Sequence, residues 1–356
     1  MALVAQTMEE KYRGRLDLKK VAVVILNYNG KDFLRKFLPS VIEQTAMDAE
    51  IWVADNNSLD GSIEVMQEEF PQVKLLENKY NAGFAGGYNA ALKRIEADYY
   101  VLLNSDIEVT ENWINPVIEL MDADSSIAAC QPKILSYYNQ DEFEYAGAGG
   151  GFIDRWGYPF CRGRIFQAIE KDEGQYDDAV EIFWATGACM FVKADIYHEF
   201  GGLDEDFFAH MEEIDFCWRL KNAGYKIMFC PSSKVYHVGG GTLPKKSARK
   251  TYLNFRNNFS LLYKNLPEGQ LFKTFAVRLV LDGIAGIKFL IEGDFQDFIA
   301  VIEAHLYFYR NYSKLKKKRK SIEHKQVTRI YTKNLVYQHY IKGRKKFTDL
   351  GTTHFT

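Results

Sequence analysis

The sequence predicts an α/β fold: a mostly parallel central sheet flanked by helices, with a helical region appended after residue 245. Three observations carry this. Short apolar, β-branched runs alternate with segments of helical periodicity over residues 21–121. The runs end in turns rich in Asn and Asp, and beyond Thr251 the apolar spacing becomes wholly helical. Strands alternating with helices imply parallel pairing through right-handed crossovers, and in such sheets ligands gather beyond the carboxyl ends of the strands.

In order, Val21 to Tyr28 reads as a buried strand closed by the tight turn Asn29-Gly30. Phe33, Leu34, Phe37, Leu38, Val41 and Ile42 recur at helical spacing, with Pro39 as a kink or a displaced start. Ile51 to Ala54 is the second strand, and Asp60 or Ser62 caps a helix running through Phe70. The unit repeats with a strand at Val73 to Leu76, a helix at Phe84 to Ile95 and a strand at Tyr99 to Leu103. Thr110 is the expected cap of a helix through Met121. Residues 146–180 are Gly/Ala-rich and then aromatic and irregular, which predicts a long loop bordering a cleft. These boundaries divide the chain into an extension at 1–20, a main domain at 21–245 and a helical region with a basic tail at 246–356.

Composition excludes several classes. With 356 residues, 47% of them hydrophobic, the chain buries a large core. Its net charge of -2 gives no reason to expect nucleic acid as a partner. From Lys314 onward, however, 13 Lys and Arg stand against two Asp and Glu, so the rest of the chain is acidic. Five widely spaced cysteines without a Cys-x-x-Cys pair argue against a disulfide framework or a zinc site and fit a reducing cytoplasm. Charged residues before the first apolar run argue against a secretory signal. Lys273, Arg278, Asp282 and Lys288 interrupt the stretch Leu271 to Ile291, so no transmembrane helix is expected. Neither a Gly-x-Gly-x-x-Gly after the first strand nor a Walker sequence occurs.

The polar residues Asn27, Asn29, Asp55, Asn57, Asn104 and Asp106 fall at or just after predicted strand ends. Asp106, in Asn104-Ser105-Asp106, is placed to hold Mg²⁺ or Mn²⁺ against a diphosphate; a plain turn explains the triplet equally well. Glu212-Glu213-Ile214-Asp215 sets three carboxylates in four positions, where they raise one another's pKa values and suit a general base. The bland reading is an acidic helix start with Asp215 paired to Arg219. His237 precedes three glycines, which let backbone N–H groups approach phosphate oxygens; a glycine-rich hairpin is the alternative. Asp55 suits a pyrimidine N–H or a helix cap. Asn81-Ala82-Gly83 opens a helix with little side-chain bulk, for a nucleotide or for close packing.

In this order the clusters resemble the family 2 glycosyltransferases of GT-A fold, Rossmann-like in their central sheet, and especially the rhamnosyltransferase-like and galactofuranosyltransferase-like members. The likeness covers roughly Val21 to Thr242 and includes Gly187 to Phe191 and Gly201-Gly202-Leu203-Asp204-Glu205. It implies a nucleobase ligand at Asp55, a metal ligand at Asp106, a metal or diphosphate ligand at His237, and donor contacts from Asn27, Asn29, Asn57, Asn81, Gly83, Asn104 and Ser105. Asn104 stands where many members carry Asp. The base falls on Glu213, with Glu212 and Asp215 orienting it or meeting the acceptor, and Trp184, Thr186 and Gly187 bordering the acceptor pocket. Trp184 stacks on a sugar in this reading, or sits in the core.

The implied reaction is inverting transfer of a sugar from a dTDP- or UDP-sugar to a hydroxyl of a glycan or lipid-linked acceptor, in cell-surface polysaccharide synthesis. The alternatives are a sugar nucleotidyltransferase, which needs a glycine- and lysine-rich loop after the first strand, and a non-catalytic nucleotide-sugar-binding module. The region Leu271 to Tyr312, with Lys314, Lys316, Lys317, Lys318, Arg319 and Lys320, is expected to rest on a membrane at its cytoplasmic face or to form a homodimer surface.

Overall fold

The computed structural model describes residues 20–45, 49–239 and 247–356. The glycines at 240 and 241 and Thr242 lie outside the described residues. Strands β1 (Val21–Asn27), β2 (Ala49–Asp55), β3 (Lys74–Glu77) and β4 (Tyr99–Asn104) alternate with helices α1 (Lys31–Gln44), α2 (Ser62–Glu69) and α3 (Gly83–Leu92). All four strands are parallel, in the order β3-β2-β1-β4. Register sets Asn27 opposite Asp55 and Leu26 opposite Asn104, so three polar strand ends meet at one edge of the sheet. β1 splits its side chains between two cores: Val21, Val23 and Ile25 face α1 and α2, whereas Ala22 and Val24 face the layer containing Tyr88 and Trp218.

The remaining chain widens this sheet. It contains β5 (Ile107–Val109), α4 (Asn115–Ala123) and β6 (Ile127–Ser136), then β11 (Val180–Ile182), β12 (Cys189–Lys193), α5 (Ala194–Glu199), α6 (Glu212–Asn222) and β13 (Lys226–His237). β12 enters antiparallel between β4 and β6, and β13 runs parallel to β6. Most paired residues of the nine-stranded sheet therefore lie in parallel ladders.

Two expectations are corrected. Thr110 caps no helix. Ile107 and Val109 alternate into the core as β5, and Thr110 donates to the Lys234 carbonyl at 2.7 Å. Helix α4 starts later, at Asn115, where Pro116 sits in the first turn and loses nothing for lacking an N–H. The predicted loop at 146–180 carries four short strands of a second sheet, joined by turns. Strands β7 (Gly151–Asp154), β8 (Pro159–Cys161), β9 (Arg164–Ile165) and β10 (Ala168–Ile169) are too short to show a periodicity.

Helices α7 (Ala248–Asn265), α8 (Glu268–Ile291), α9 (Phe295–Arg310) and α10 (Tyr312–Lys320) follow, and β14 (Ile330–Tyr331) returns to pair with β7. Leu261, Leu262, Tyr331 and Leu350 share one core with the central sheet, so the C-terminal region packs into the main domain. Lys318 bridges Asp204 and Asp206, and Lys314 meets Asp206 at 2.6 Å. All five cysteines are free and buried. Among the described residues no helix is long and apolar enough to cross a membrane.

Candidate active site

At the ends of β1 and β2 the polar side chains bind one another. Asn27 Nδ2 donates to Asp55 Oδ2 at 2.9 Å and to Ser58 Oγ at 3.2 Å, and Ser58 N donates to Asp55 Oδ1 at 2.8 Å. Asn29 N donates to Ser58 Oγ, and Asn29 Oδ1 accepts from Leu59 N, both at 2.8 Å. Asn27 and Asp55 are buried, and Asn27 Oδ1 has no partner. Asn57 is exposed in a left-handed turn at φ 66°, a conformation that Asn adopts more readily than bulkier residues.

The start of α3 takes the close-packing alternative. Gly83 has φ +72°, and a Cβ there would lie 2.5 Å from the Phe208 ring and 2.6 Å from its carbonyl. That carbonyl accepts from Phe84 N at 2.7 Å, so the helix N-terminus is met by protein. Asn81 Oδ1 accepts from Gly83 N and Asn56 Nδ2, which fixes the loop to the end of β2.

The ends of β4 and β13 bring the second cluster together. His237 Nε2 lies 3.1 Å from Asp106 Oδ1 and 3.4 Å from Asn104 Nδ2. On the other side, His237 Nδ1 is 3.2 Å from Glu144 Oε2, an ionic contact without hydrogen-bond alignment. Burial lowers an imidazole pKa, but here Glu144 and Asp106 outweigh it and raise His237 to about 10. Asp106 is also buried, which would raise its carboxyl, yet the imidazolium holds it below the ordinary range. Ser105 is part-exposed between them and faces Gly30, whose added Cβ would lie 3.5 Å from Ser105 Oγ.

These residues fit a divalent ion. Asp106 and His237 present an oxygen and a nitrogen side by side; a metal would have to displace the proton that the imidazolium holds at Nε2 against Asp106, leaving Nδ1 facing the Glu144 carboxylate. Among the described residues no cluster of three or more His, Cys, Asp or Glu is arranged to hold a metal alone, so diphosphate oxygens and water would complete the coordination. Glu144 carried no motif in the sequence.

The third cluster opens α6. Phe208, His210 and Met211 precede it at φ 64°, 70° and 73°, three non-glycine residues in left-handed conformation within four positions. Asn257 on α7 holds this turn: its Nδ2 donates to the carbonyls of Phe207, Ala209 and His210 at 3.0, 2.8 and 2.7 Å. Arg256 adds bonds to the carbonyls of Asp206 and Phe207 at 2.9 and 2.7 Å. Glu212 is buried and Glu213 is part-exposed, and one oxygen of each lacks a protein partner. Burial raises Glu213 to about 7, against the opposing effect of nearby backbone N–H groups. Burial and the charge on Glu213 drive Glu212 well above the ordinary carboxylate range. Glu213 therefore titrates near neutrality.

The rest of the predicted acceptor border divides. Gly187 is at the site: an added Cβ would lie 2.9 Å from the Phe84 ring and 3.9 Å from Glu213 Cβ, and the next residue, Ala188, accepts from Asn104 N at 2.9 Å. Trp184 takes the core alternative, since it is 4% exposed, lies over Gly151 and donates to the Phe152 carbonyl at 2.9 Å. Thr186 is buried, with Oγ1 accepting from Ala188 N. Asp215 is fully buried between Arg219 Nε at 2.9 Å, Lys264 Nζ and Asn265 Nδ2, so it anchors α6 to α7.

Comparison with known proteins agrees with this geometry. The chain is 24% identical to the N-acetylglucosaminyl-diphospho-decaprenol L-rhamnosyltransferase of Mycobacterium tuberculosis, over 60% of this chain and 75% of that one. It is 23% identical to the low-salt glycan biosynthesis hexosyltransferase Agl10 of Haloferax volcanii, over 68% and 75%. Its fold matches GalNAc-T7, solved with UDP, GalNAc and Mn²⁺, at a TM-score of 0.57 and 18% identity, covering 84% of this chain and 58% of that one. A mannosyltransferase of Pyrobaculum calidifontis, solved with GDP-Man and Mn²⁺, matches at 0.50 and 14%, covering 85% and 84%. The sequence model of glycosyl transferase family 2 matches residues 22–201, just over half of the 356 residues, and the chain belongs to that family.

Proposed function

We propose that this glycosyltransferase binds a nucleotide diphosphate sugar at the carboxyl ends of β1, β2 and β4 and transfers the sugar, with inversion, to a hydroxyl deprotonated by Glu213. The observation that carries this reading is convergence: Gly187, where an added Cβ would come within 3.9 Å of Glu213 Cβ, is followed by Ala188, which accepts from Asn104 N, so the base and diphosphate ends lie within two residues of one segment. Asp55, with Asn27, Asn29 and Asn57, would receive the base and ribose, and Asp106 and His237 would hold Mg²⁺ or Mn²⁺. That ion supplies positive charge to the leaving diphosphate.

The acceptor O–H gives its proton to Glu213 as its oxygen forms the bond to the anomeric carbon. The carbon–oxygen bond to the diphosphate breaks on the opposite face, and its electron pair leaves with the phosphate oxygen. Glu213 is the only member of the acidic cluster that is both part-exposed and poised near neutrality. The names of the Mycobacterium and Haloferax relatives support a hexose or deoxyhexose such as rhamnose, and a lipid-linked or glycan acceptor.

A panel of nucleotide sugars titrated with Mn²⁺, Mg²⁺ or chelator tests the reading. One donor should bind and be hydrolysed slowly only with metal, and NMR of the transfer product should show the inverted anomer. Binding of no donor under any condition, or a retained anomer, contradicts it.

A further inference from the structure

We propose that the helical hairpin α8–α9 is a seat for an anionic lipid bilayer, on which the protein rests without crossing it. The observation is an inverted helix. The buried residues of α8 are Thr274, Arg278, Asp282 and Gly286, whereas Phe272, Val280, Ile284, Ile287 and Ile291 are 89%, 63%, 58%, 56% and 82% exposed. A helix packed on a water-soluble domain normally turns its apolar stripe inward. Here the fully buried positions are polar or small, beside an inward Phe275 that packs on Phe259 and Phe308: Arg278 pairs with Asp282 at 3.0 Å and donates to the Trp156 carbonyl, and His305 reaches Asp282 at 3.1 Å.

The exposed stripe continues on α9 through Phe295, Ile299, Ile302 and Leu306, after a turn at 292–294. Together these side chains expose on the order of 1,000 Å² of apolar surface, beyond the roughly 300–600 Å² of the largest patch on a typical monomer. It is also more than the about 800 Å² per partner of a standard protein interface, so area alone allows either a bilayer or a second copy. Charge decides. Among exposed residues between 268 and 320, seven are Lys or Arg and three are Glu. With Lys288 paired to Glu292 and Lys314 to Asp206, five cations and two Glu remain on this face. A two-fold contact between copies would bring such cationic rims together, whereas anionic head groups match them.

The order along the chain fits as well. The apolar stripe passes into exposed Tyr309 and Tyr312 and then exposed Lys316 and Lys317, the sequence of side chains met from acyl chains to head groups. With no helix among the described residues able to span, the hairpin lies in the interface. Helix α7 ties this seat to the base: Asn257 grips the turn before Glu212, while the adjacent Asn258 bonds Arg278 of the hairpin. The surface stands apart from the sugar-transfer reading, and its test does not depend on activity.

The test is flotation of the full chain with phosphatidylglycerol–phosphatidylcholine vesicles, alongside sedimentation velocity without lipid. The variants are Ile284→Glu/Ile287→Glu/Ile302→Glu and Lys316→Glu/Lys317→Glu, with circular dichroism confirming that both remain folded. The parent should float with anionic vesicles and sediment as a monomer, and each variant should lower the partition coefficient about tenfold or more. No flotation of the parent, flotation unchanged in both variants, or a parent dimer that the apolar variant splits without any vesicle binding would overturn the proposal.

Discussion

The two halves of the site are built on opposite plans. At the ends of β1 and β2 most polar groups are already bonded to a neighbour, as in the Asn27–Asp55–Ser58 network, where Asn27 Oδ1 is the exception. At the start of α6 the reverse holds: Glu212, Glu213 and His210 each carry a buried unpartnered atom, and three non-glycine residues sit at positive φ. A site that only binds can be satisfied in advance. A site that must take a proton needs a carboxyl kept short of partners and out of water, and the strain of holding it there is borne by α7.

The comparison breaks most directly at Glu213. Glu213→Gln should lower transfer turnover about 10²–10⁴-fold while leaving donor affinity unchanged, measured by single-turnover transfer and calorimetry. An equal loss of donor affinity would merge the two halves. Next is Glu144, which acts through His237: Glu144→Gln should weaken Mn²⁺ affinity about 10–100-fold in a titration with nucleotide diphosphate present. Asn257→Ala leaves the Ala209 and His210 carbonyls without their side-chain donor, while that of Phe207 keeps Arg256, so it should remove about 1–3 kcal/mol of stability in denaturant titration. Turnover should fall with it and donor binding should hold. The smallest effect is expected at Trp184→Phe, about 1 kcal/mol of stability from the lost bond to Phe152 with acceptor KM unchanged.

The same contrast explains what could be read in advance. The alternating units from β1 to β4 were legible because each is a strand, a polar turn and a helix in continuous sequence, and Asn27, Asp55, Asn104 and Asp106 fall at their ends. The acidic pair and His237 stood out by pattern. The small sheet did not, because strands of two to four residues carry no period. Glu144, in Phe143-Glu144-Tyr145, gains its role only when β13 brings His237 beside it. Asn257 left a faint trace: Asn257-Asn258 are two weak helix formers inside a long helix, where side-chain bonds to distant carbonyls are a reason to keep them. Trp184 and Asp215 belonged to the core and to an ion-pair cluster, the ordinary fates of a buried tryptophan and of an acid four residues before an arginine.

A base at Glu213, held near neutrality by burial, gives single-turnover transfer a pH dependence that reports it directly. With the carboxyl raised to about 7, the active carboxylate is present above that pH and is lost as pH falls through it. At saturating donor, acceptor and metal, the rate should therefore drop about tenfold per unit below pH 7 and level off above it, and this limb should vanish in Glu213→Gln. A rate independent of pH from 5.5 to 8, or a limb that persists unchanged in that variant, would contradict the account.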